Sequence, residues 1–259
     1  MNDKPSPARM YDYFLGGYHN FEIDRMAAQK VLEIHPETPL VMQSNRYFLR
    51  RVVNFLSQQG IDQFLDIGSG IPTVGNVHEI AQKANPNSRV VYVDLESLAV
   101  RQGEDILADN PNASIIEADL RQPEAILNHP EVGRLLDFER PVGILIISVL
   151  LFVPDDEEAY RAVRTLRDAL LPGSYLAISH ATYEGSPPEL VEQIQQVYAG
   201  TPTPVKMRSH EQIERFFGGF ELVEPGLVYV PLWRPEGSED VYFTEPERAV
   251  NYGGVGRRL

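Results

Sequence analysis

From residue 61 onward, short apolar runs alternate with segments in which apolar residues recur every three or four positions. The runs Phe64-Leu-Asp-Ile67, Val90-Val-Tyr-Val93, Ile115-Ile116 and Ile144-Leu-Ile-Ile147 have the length of strands buried on both faces. The pattern predicts strands near 63–67, 90–94, 114–117, 142–148 and 174–179, and helices near 74–84, 97–108, 155–170 and 187–199. Strands that alternate with helices imply right-handed βαβ units and a doubly wound parallel sheet. Upstream, helical spacing covers 24–32 and 40–56, with Pro36 and Pro39 between the two helices and Gly60 as a stop. An aromatic segment, Tyr11-Asp-Tyr-Phe-Leu-Gly-Gly17, precedes them. Near the end, Phe220 to Val223 and Leu227 to Trp233 flank Glu-Pro-Gly and read as an antiparallel hairpin. The expected organisation is a helical cap or lid over 1–60, an α/β domain over 61–235, and a Gly-rich tail or strap over 236–259.

Composition narrows the classes. A chain of 259 residues buries enough surface to hold a core unaided. With no cysteine there is no disulfide, thiolate metal site or Cys nucleophile, and the histidines show no ligand spacing, so no metal site is expected. A formal net charge of −14 disfavours a nucleic-acid partner. Residues 1–60 carry seven Lys/Arg against six Asp/Glu, so the acidity lies in the remainder. No apolar run reaches the ~20 residues of a membrane span and no leader is apparent, so no membrane association and a cytoplasmic location are expected.

The candidate chemistry sits at the strand ends, where a parallel sheet opens its ligand crevice. The first strand delivers Asp66 into the turn Gly68-Ser69-Gly70. A dinucleotide fingerprint would place a third glycine at 73, but Thr73 stands there after Pro72. An acid at 66 repels a pyrophosphate and suits an ammonium group, so the turn favours S-adenosylmethionine over NAD. Asp94 at the second strand's end can accept from ribose hydroxyls, with Glu96 in reserve, or can simply cap the next helix. Asp119 can accept from an adenine amino group while the Leu120 backbone meets the ring edge. Ser148 to Phe152 should line the crevice beside the reacting sulfur. Arg46, with Asn45 on a helix's inner face, is a candidate for a ligand carboxylate or for a structural salt bridge. Tyr11, Tyr13, Tyr18 and His19 are candidates for the wall of an acceptor pocket, with Tyr13 and Gly17 also placed at the cofactor. His180, past the fifth strand, is a weak candidate for a base, as are His19 and Tyr18.

Taken together these residues resemble a bacterial family of class I S-adenosylmethionine-dependent methyltransferases, formerly catalogued as a domain of unknown function. The matching segments are Ala8-Arg-Met-Tyr-Asp-Tyr-Phe-Leu-Gly-Gly17 with Asn20-Phe21 and Asp24-Arg25, Asn45-Arg46, Gln63 to Thr73, Asn76-Val-His-Glu79 and Val91 to Asp94. Further matches are Ala118-Asp-Leu120, Phe152 to Asp155, Pro172 to Tyr175, Trp233-Arg-Pro235 and Tyr252 to Arg257. The resemblance implies a Rossmann-like seven-stranded, mostly parallel sheet with an N-terminal helical cap. It also implies cofactor binding at Gly68, Asp94 and Asp119, with S-adenosylhomocysteine as product. Two positions depart from the family: Tyr18-His19 replaces Lys-Asp, and Leu151 stands where a His is common, so no general base follows from it. Methyl transfer to a small molecule is the expected activity. A lyase or cyclase that consumes the methionine chain, and a non-catalytic cofactor-binding sensor or partner module, are the alternatives. Oligomeric state is not legible.

Overall fold

The computed structural model describes residues 4–71, 75–237 and 240–259. Pro72 and Thr73, used above against a dinucleotide, and Val74, the expected first residue of a helix, lie outside the described residues. The described elements are helices α1 (Pro7–Phe14), α2 (Glu22–Ile34), α3 (Thr38–Gln58), α4 (Val77–Ala84), α5 (Ser97–Leu107), α6 (Pro123–Leu127), α7 (Pro130–Leu135), α8 (Asp156–Asp168), α9 (Pro188–Ala199) and α10 (His210–Glu214). The strands are β1 (Gln63–Ile67), β2 (Arg89–Asp94), β3 (Ala113–Glu117), β4 (Gly143–Ile147), β5 (Tyr175–Ala181), β6 (Glu221–Leu222), β7 (Val228–Tyr229) and β8 (Asn251–Arg257).

They form one sheet in the order β3-β2-β1-β4-β5-β8-β6, with β7 also on β8. The first five strands are parallel and β8 is antiparallel to β5. The direction of winding reverses between β1 and β4, and such a switch point leaves a crevice at the carboxyl ends of the strands. Every residue of β1 is buried, as a strand covered by helices on both faces requires. One core layer carries Leu65, Val91, Ile144 and Ile178 under α8, and the opposite layer carries Phe64, Val90, Leu145 and Ala177 under α3. The long helix α3 therefore covers the sheet itself. Met10, Phe14, Ala28 and Val31 of α1 and α2 form a separate small core with Ile194 of α9. Capping fixes several helix starts. Asp155 accepts from the Glu158 N–H at 2.8 Å, and Glu79 accepts from the N–H groups of Gly75 and Asn76.

Two expectations about the C-terminal part are corrected. The segments around Glu-Pro-Gly do not pair with each other. Glu221 and Leu222 pair with Arg257 and Gly256, while Val228 and Tyr229 pair with Gly253 and Tyr252. They form one interrupted edge strand, and Pro225 sits in the interruption, where no ladder N–H is needed. Eight strands thus occupy seven positions across the sheet. The second correction concerns 251–257, expected within a tail or strap. It is instead a full seven-residue partner of β5. Its glycines explain the miss. A Cβ on Gly253 would stand 2.8 Å from the Phe48 ring and Val230, and one on Gly256 would stand 2.8 Å from Phe220. Neighbouring side chains fill the space that a strand's own side chains normally occupy.

Candidate functional site

A cavity of about 440 Å³ opens over the carboxyl ends of β1, β2, β3 and β4, walled by α1, α3 and the segment after α9. Asp66, Gly68, Ser69, Gly70, Asp94, Glu96, Asp119, Leu120, Ser148 and Arg46 all line it. Five elements far apart in sequence deliver them because parallel strands share one direction and end on one side.

Asp66 closes β1 as a buried carboxyl. Burial pushes its pKa up to about 7, opposed by the Arg46 guanidinium and reinforced by Asp94. A buried group with this balance stands ready for a cation. Arg46 reaches over from α3 and donates to the Gly75 carbonyl at 3.1 Å, which leaves it beside Asp66 and on the cavity wall. Gly68 turns with φ +73°, and a Cβ there would lie 2.3 Å from the Val149 side chain. Only glycine lets the backbone pass between β1 and the β4 loop.

Asp94 accepts from the Gly70 N–H at 2.7 Å and the Glu96 N–H at 2.8 Å, so it ties the β1 turn to the end of β2. Burial raises its pKa, and these backbone donors oppose the rise. Glu96 is less committed to the backbone. Its carboxylate receives Arg9 Nη1 at 2.7 Å, and Arg9 also binds Asp24 through Nε at 2.6 Å. Arg9 and Asp24 are both fully buried, and together they clamp α1 and α2 onto the end of β2. Asp119 accepts from both Nε and Nη2 of Arg121, which lowers its pKa against the opposing effect of burial. Ser148 adopts φ 53°, a strained value for a non-glycine residue, where the chain leaves β4.

Five candidates lie off the cavity. Tyr13 packs against the Met10–Phe14 cluster, because Tyr11 and Leu15 occupy the helical face that looks into the cavity and position 13 points away. Tyr18 is 84% exposed. His19 donates its N–H to Asp12 Oδ2 at 2.9 Å, and its ring lies 4.2 Å from that of Tyr18, tilted by 40°. Gly17 owes its identity to packing: a Cβ would lie 2.0 Å from Asp12 Oδ1. His180 is fully buried, since alternation along β5 turns Ala181 to the cavity and His180 away from it. Its Nδ1 meets the Ala181 carbonyl at 2.7 Å and its Nε2 faces Arg208 Nη1 at 2.8 Å. Burial, with the Arg208 charge behind it, pushes its pKa down to about 3, so it is a neutral acceptor for Arg208. Residues that the sequence reading passed over include Arg9, Arg121 and Tyr198. Arg9 and Asp24 stood in the family-like segment, which was their one sequence signal.

Several known proteins are similar to this chain. A family model described as S-adenosyl methyltransferase matches residues 1–259. A Thermobifida fusca YX protein whose methyltransferase assignment is itself provisional shares 42% identity, over 98% of this chain and 95% of that one, with a TM-score of 0.92. A DUF574 family protein of Streptomyces avermitilis MA-4680 shares 39% identity, over 99% and 98%, with a TM-score of 0.94. An O-methyltransferase family protein of Burkholderia thailandensis, 14% identical over 98% of this chain and 64% of that one at a TM-score of 0.54, shares the fold. No curated protein matches. Among the described residues no helix is long and apolar enough to cross a membrane.

Proposed function

The chain belongs to the S-adenosyl methyltransferase family, and from that premise we propose that it transfers a methyl group to a small-molecule acceptor bound between the β4 loop and α1. The cofactor supplies a methyl carbon already activated by its sulfonium. The protein's task is to hold the partners in line and keep water out, which accounts for roughly 7–11 kcal/mol of barrier lowering when orientation is good.

The residues present fit that cofactor. Asp66 meets its ammonium group and Arg46 its carboxylate, a charge-assisted pair worth about 1.5–3 kcal/mol. Glu96, with Asp94 shaping the turn beside it, accepts from the ribose hydroxyls. Asp119 and the Leu120 backbone flank the adenine, and Arg121 holds the Asp119 carboxylate in place. Ser69 and Gly70 carry the turn beneath the methionine chain, and Ser148 borders the sulfur. Within the expected cap we assign α1 the role of a cover over the cofactor, held in place by Arg9 through Asp24 and Glu96. The acceptor is placed by what remains of the wall. His180, being locked to Arg208, takes no part in proton transfer.

The observation that carries the reading is the convergence of Asp66, Glu96, Asp119 and Arg46 on one cavity. Thermal shift with S-adenosylhomocysteine and with NAD tests it. A ligand at 100 times its dissociation constant should stabilise the fold by about 2.7 kcal/mol. S-adenosylhomocysteine should raise the midpoint and NAD should leave it unchanged; the reverse result rejects the assignment.

A further inference from the structure

Part of the cavity wall is built differently. Leu15, Met42, Leu151, Phe152 and Pro202 give it an apolar lining. Most polar groups there are committed to the protein. Tyr11 Oη donates to the Met42 carbonyl, Asn45 donates to Tyr11 and accepts from Ser179, and Asn251 donates to the Ala249 carbonyl. Asp12 also lines the cavity, with Oδ2 accepting from the His19 N–H and Asn20 Nδ2 and Oδ1 buried without a hydrogen-bond partner among the described residues.

Tyr198 is a donor left uncommitted. It lines the cavity from the C-terminal end of α9, its ring 6.2 Å from that of Phe152. Its hydroxyl makes no hydrogen bond to any described residue, and burial alone raises its pKa, so it remains a phenol and a donor. No histidine and no lysine is among the described residues that line the cavity.

These facts restrict the acceptor. A charged group on it would reach no open counter-ion at this wall, since the Asp12 side chain is 1% exposed with Oδ2 doubly hydrogen-bonded, and would bear the cost of desolvation. An aliphatic alcohol would find no histidine or lysine there to take its proton, and the one carboxylate at this wall, Asp12, is buried and engaged by the His19 N–H and Asn20. Resting on the methyl-transfer reading above, we propose that the acceptor is an aromatic hydroxyl compound, acidic enough to ionise without a side-chain base, whose oxygen is hydrogen-bonded by Tyr198 Oη. Its ring packs on Phe152 and on the Met42 sulfur, contacts that favour an aromatic face. The hydroxyl proton passes to solvent before transfer. One lone pair of the resulting phenolate oxygen forms the new O–C bond as the methyl–sulfur bond breaks, and the electrons of that bond return to sulfur. An aryl methyl ether and S-adenosylhomocysteine result. Tyr198 engages a second lone pair and orients the first; it is a positioning and specificity residue. A cavity of about 440 Å³ lies toward the small end of the ~300–1,000 Å³ range of ligand pockets, which limits the acceptor to one or two rings beside the cofactor.

The test uses 4-nitrophenol as the probe, with tyramine and cyclohexanol as cationic and aliphatic comparators. Each is titrated into protein saturated with S-adenosylhomocysteine, and the phenolate absorbance follows the first. Bound 4-nitrophenol should titrate at lower pH than free 4-nitrophenol, and each comparator should bind at least about tenfold more weakly. Tyr198→Phe should weaken 4-nitrophenol binding by about tenfold, the loss expected for one hydrogen bond to a charged oxygen. The variant's affinity for S-adenosylhomocysteine reports that its fold and cofactor site are intact. Failure of 4-nitrophenol to bind, equal binding of tyramine, or an unchanged affinity in Tyr198→Phe overturns the proposal. Failure of S-adenosylhomocysteine itself to bind would instead overturn the methyl-transfer reading.

Discussion

Asp66 makes cofactor binding depend on pH in a way that can be worked out in advance. Burial holds its pKa at about 7 in the free protein. A cationic ammonium selects the carboxylate form, so apparent affinity scales with the fraction ionised. That fraction is roughly 0.76 at pH 7.5 and roughly 0.03 at pH 5.5, so the dissociation constant of S-adenosylhomocysteine should rise about 25-fold on acidification, or about 2 kcal/mol. With an ordinary α-amino pKa of about 7.7–8.0, roughly 60–75% of the ligand is cationic at pH 7.5, which trims the expected rise to about 15–19-fold. Calorimetric titrations at half-unit steps measure the curve. Asp66→Asn should bind more weakly at pH 7.5 and lose the slope between pH 5.5 and 7.5. The same shift bears on stability. With a folded pKa raised above the unfolded value of 3.8, the native state holds the proton longer. The penalty is absent below pH 3.8, grows as pH rises toward 7 and is complete above it, on the order of 4 kcal/mol. Ligand-free Asp66→Asn should therefore melt higher than the unmodified protein at pH 8, as expected of a charge kept for function. A dissociation constant that stays flat from pH 5.5 to 7.5 in the unmodified protein would show that Asp66 does not face the ammonium.

Glu96→Gln should weaken S-adenosylhomocysteine binding by about 1.5–3 kcal/mol, because a neutral amide accepts less strongly from the ribose hydroxyls; unaltered calorimetric affinity would reassign that role to Asp94. Arg9→Met leaves Asp24 buried without its cation and should cost about 3–5 kcal/mol in urea unfolding, whereas a loss below about 1 kcal/mol would mean that the cap is held by its apolar contacts alone.

The parallel half of the sheet was legible because each strand is a short run apolar on both faces, separated from the next by a segment of helical length and spacing. The carboxylates followed from topology: any residue ending a parallel strand next to the switch point faces the crevice, and Asp66, Asp94 and Asp119 do. Helix α1 was not legible, since Arg9 and Asp12 count as polar in any periodicity although both are buried. Their partners, Asp24 and Glu96 for Arg9 and the His19 N–H and Asn20 side chain for Asp12, are known only once the chain has folded. Tyr198 was hidden for the same reason, being brought to the cavity by α9 packing on the cap rather than by a local pattern. The aromatic segment misled in one respect. Its spacing suggested a continuous wall, but a helix shows only one face to the cavity, and that face carries Tyr11 and Leu15.

The position of β8 has a consequence for synthesis. β5 has its parallel partner β4 as soon as both have emerged, but its other edge stays bare until residues 251–257 arrive, about 70 residues later. At the usual ~5–20 residues per second, that interval lasts roughly 4–14 s. Throughout it, an apolar strand with unpaired backbone groups is open to any neighbouring nascent chain. The glycines that let β8 slide in between Phe48 and Phe220 also deprive the late strand of the bulky side chains that favour sticking elsewhere. A strand with little affinity for wrong partners is suited to being the last piece of the sheet.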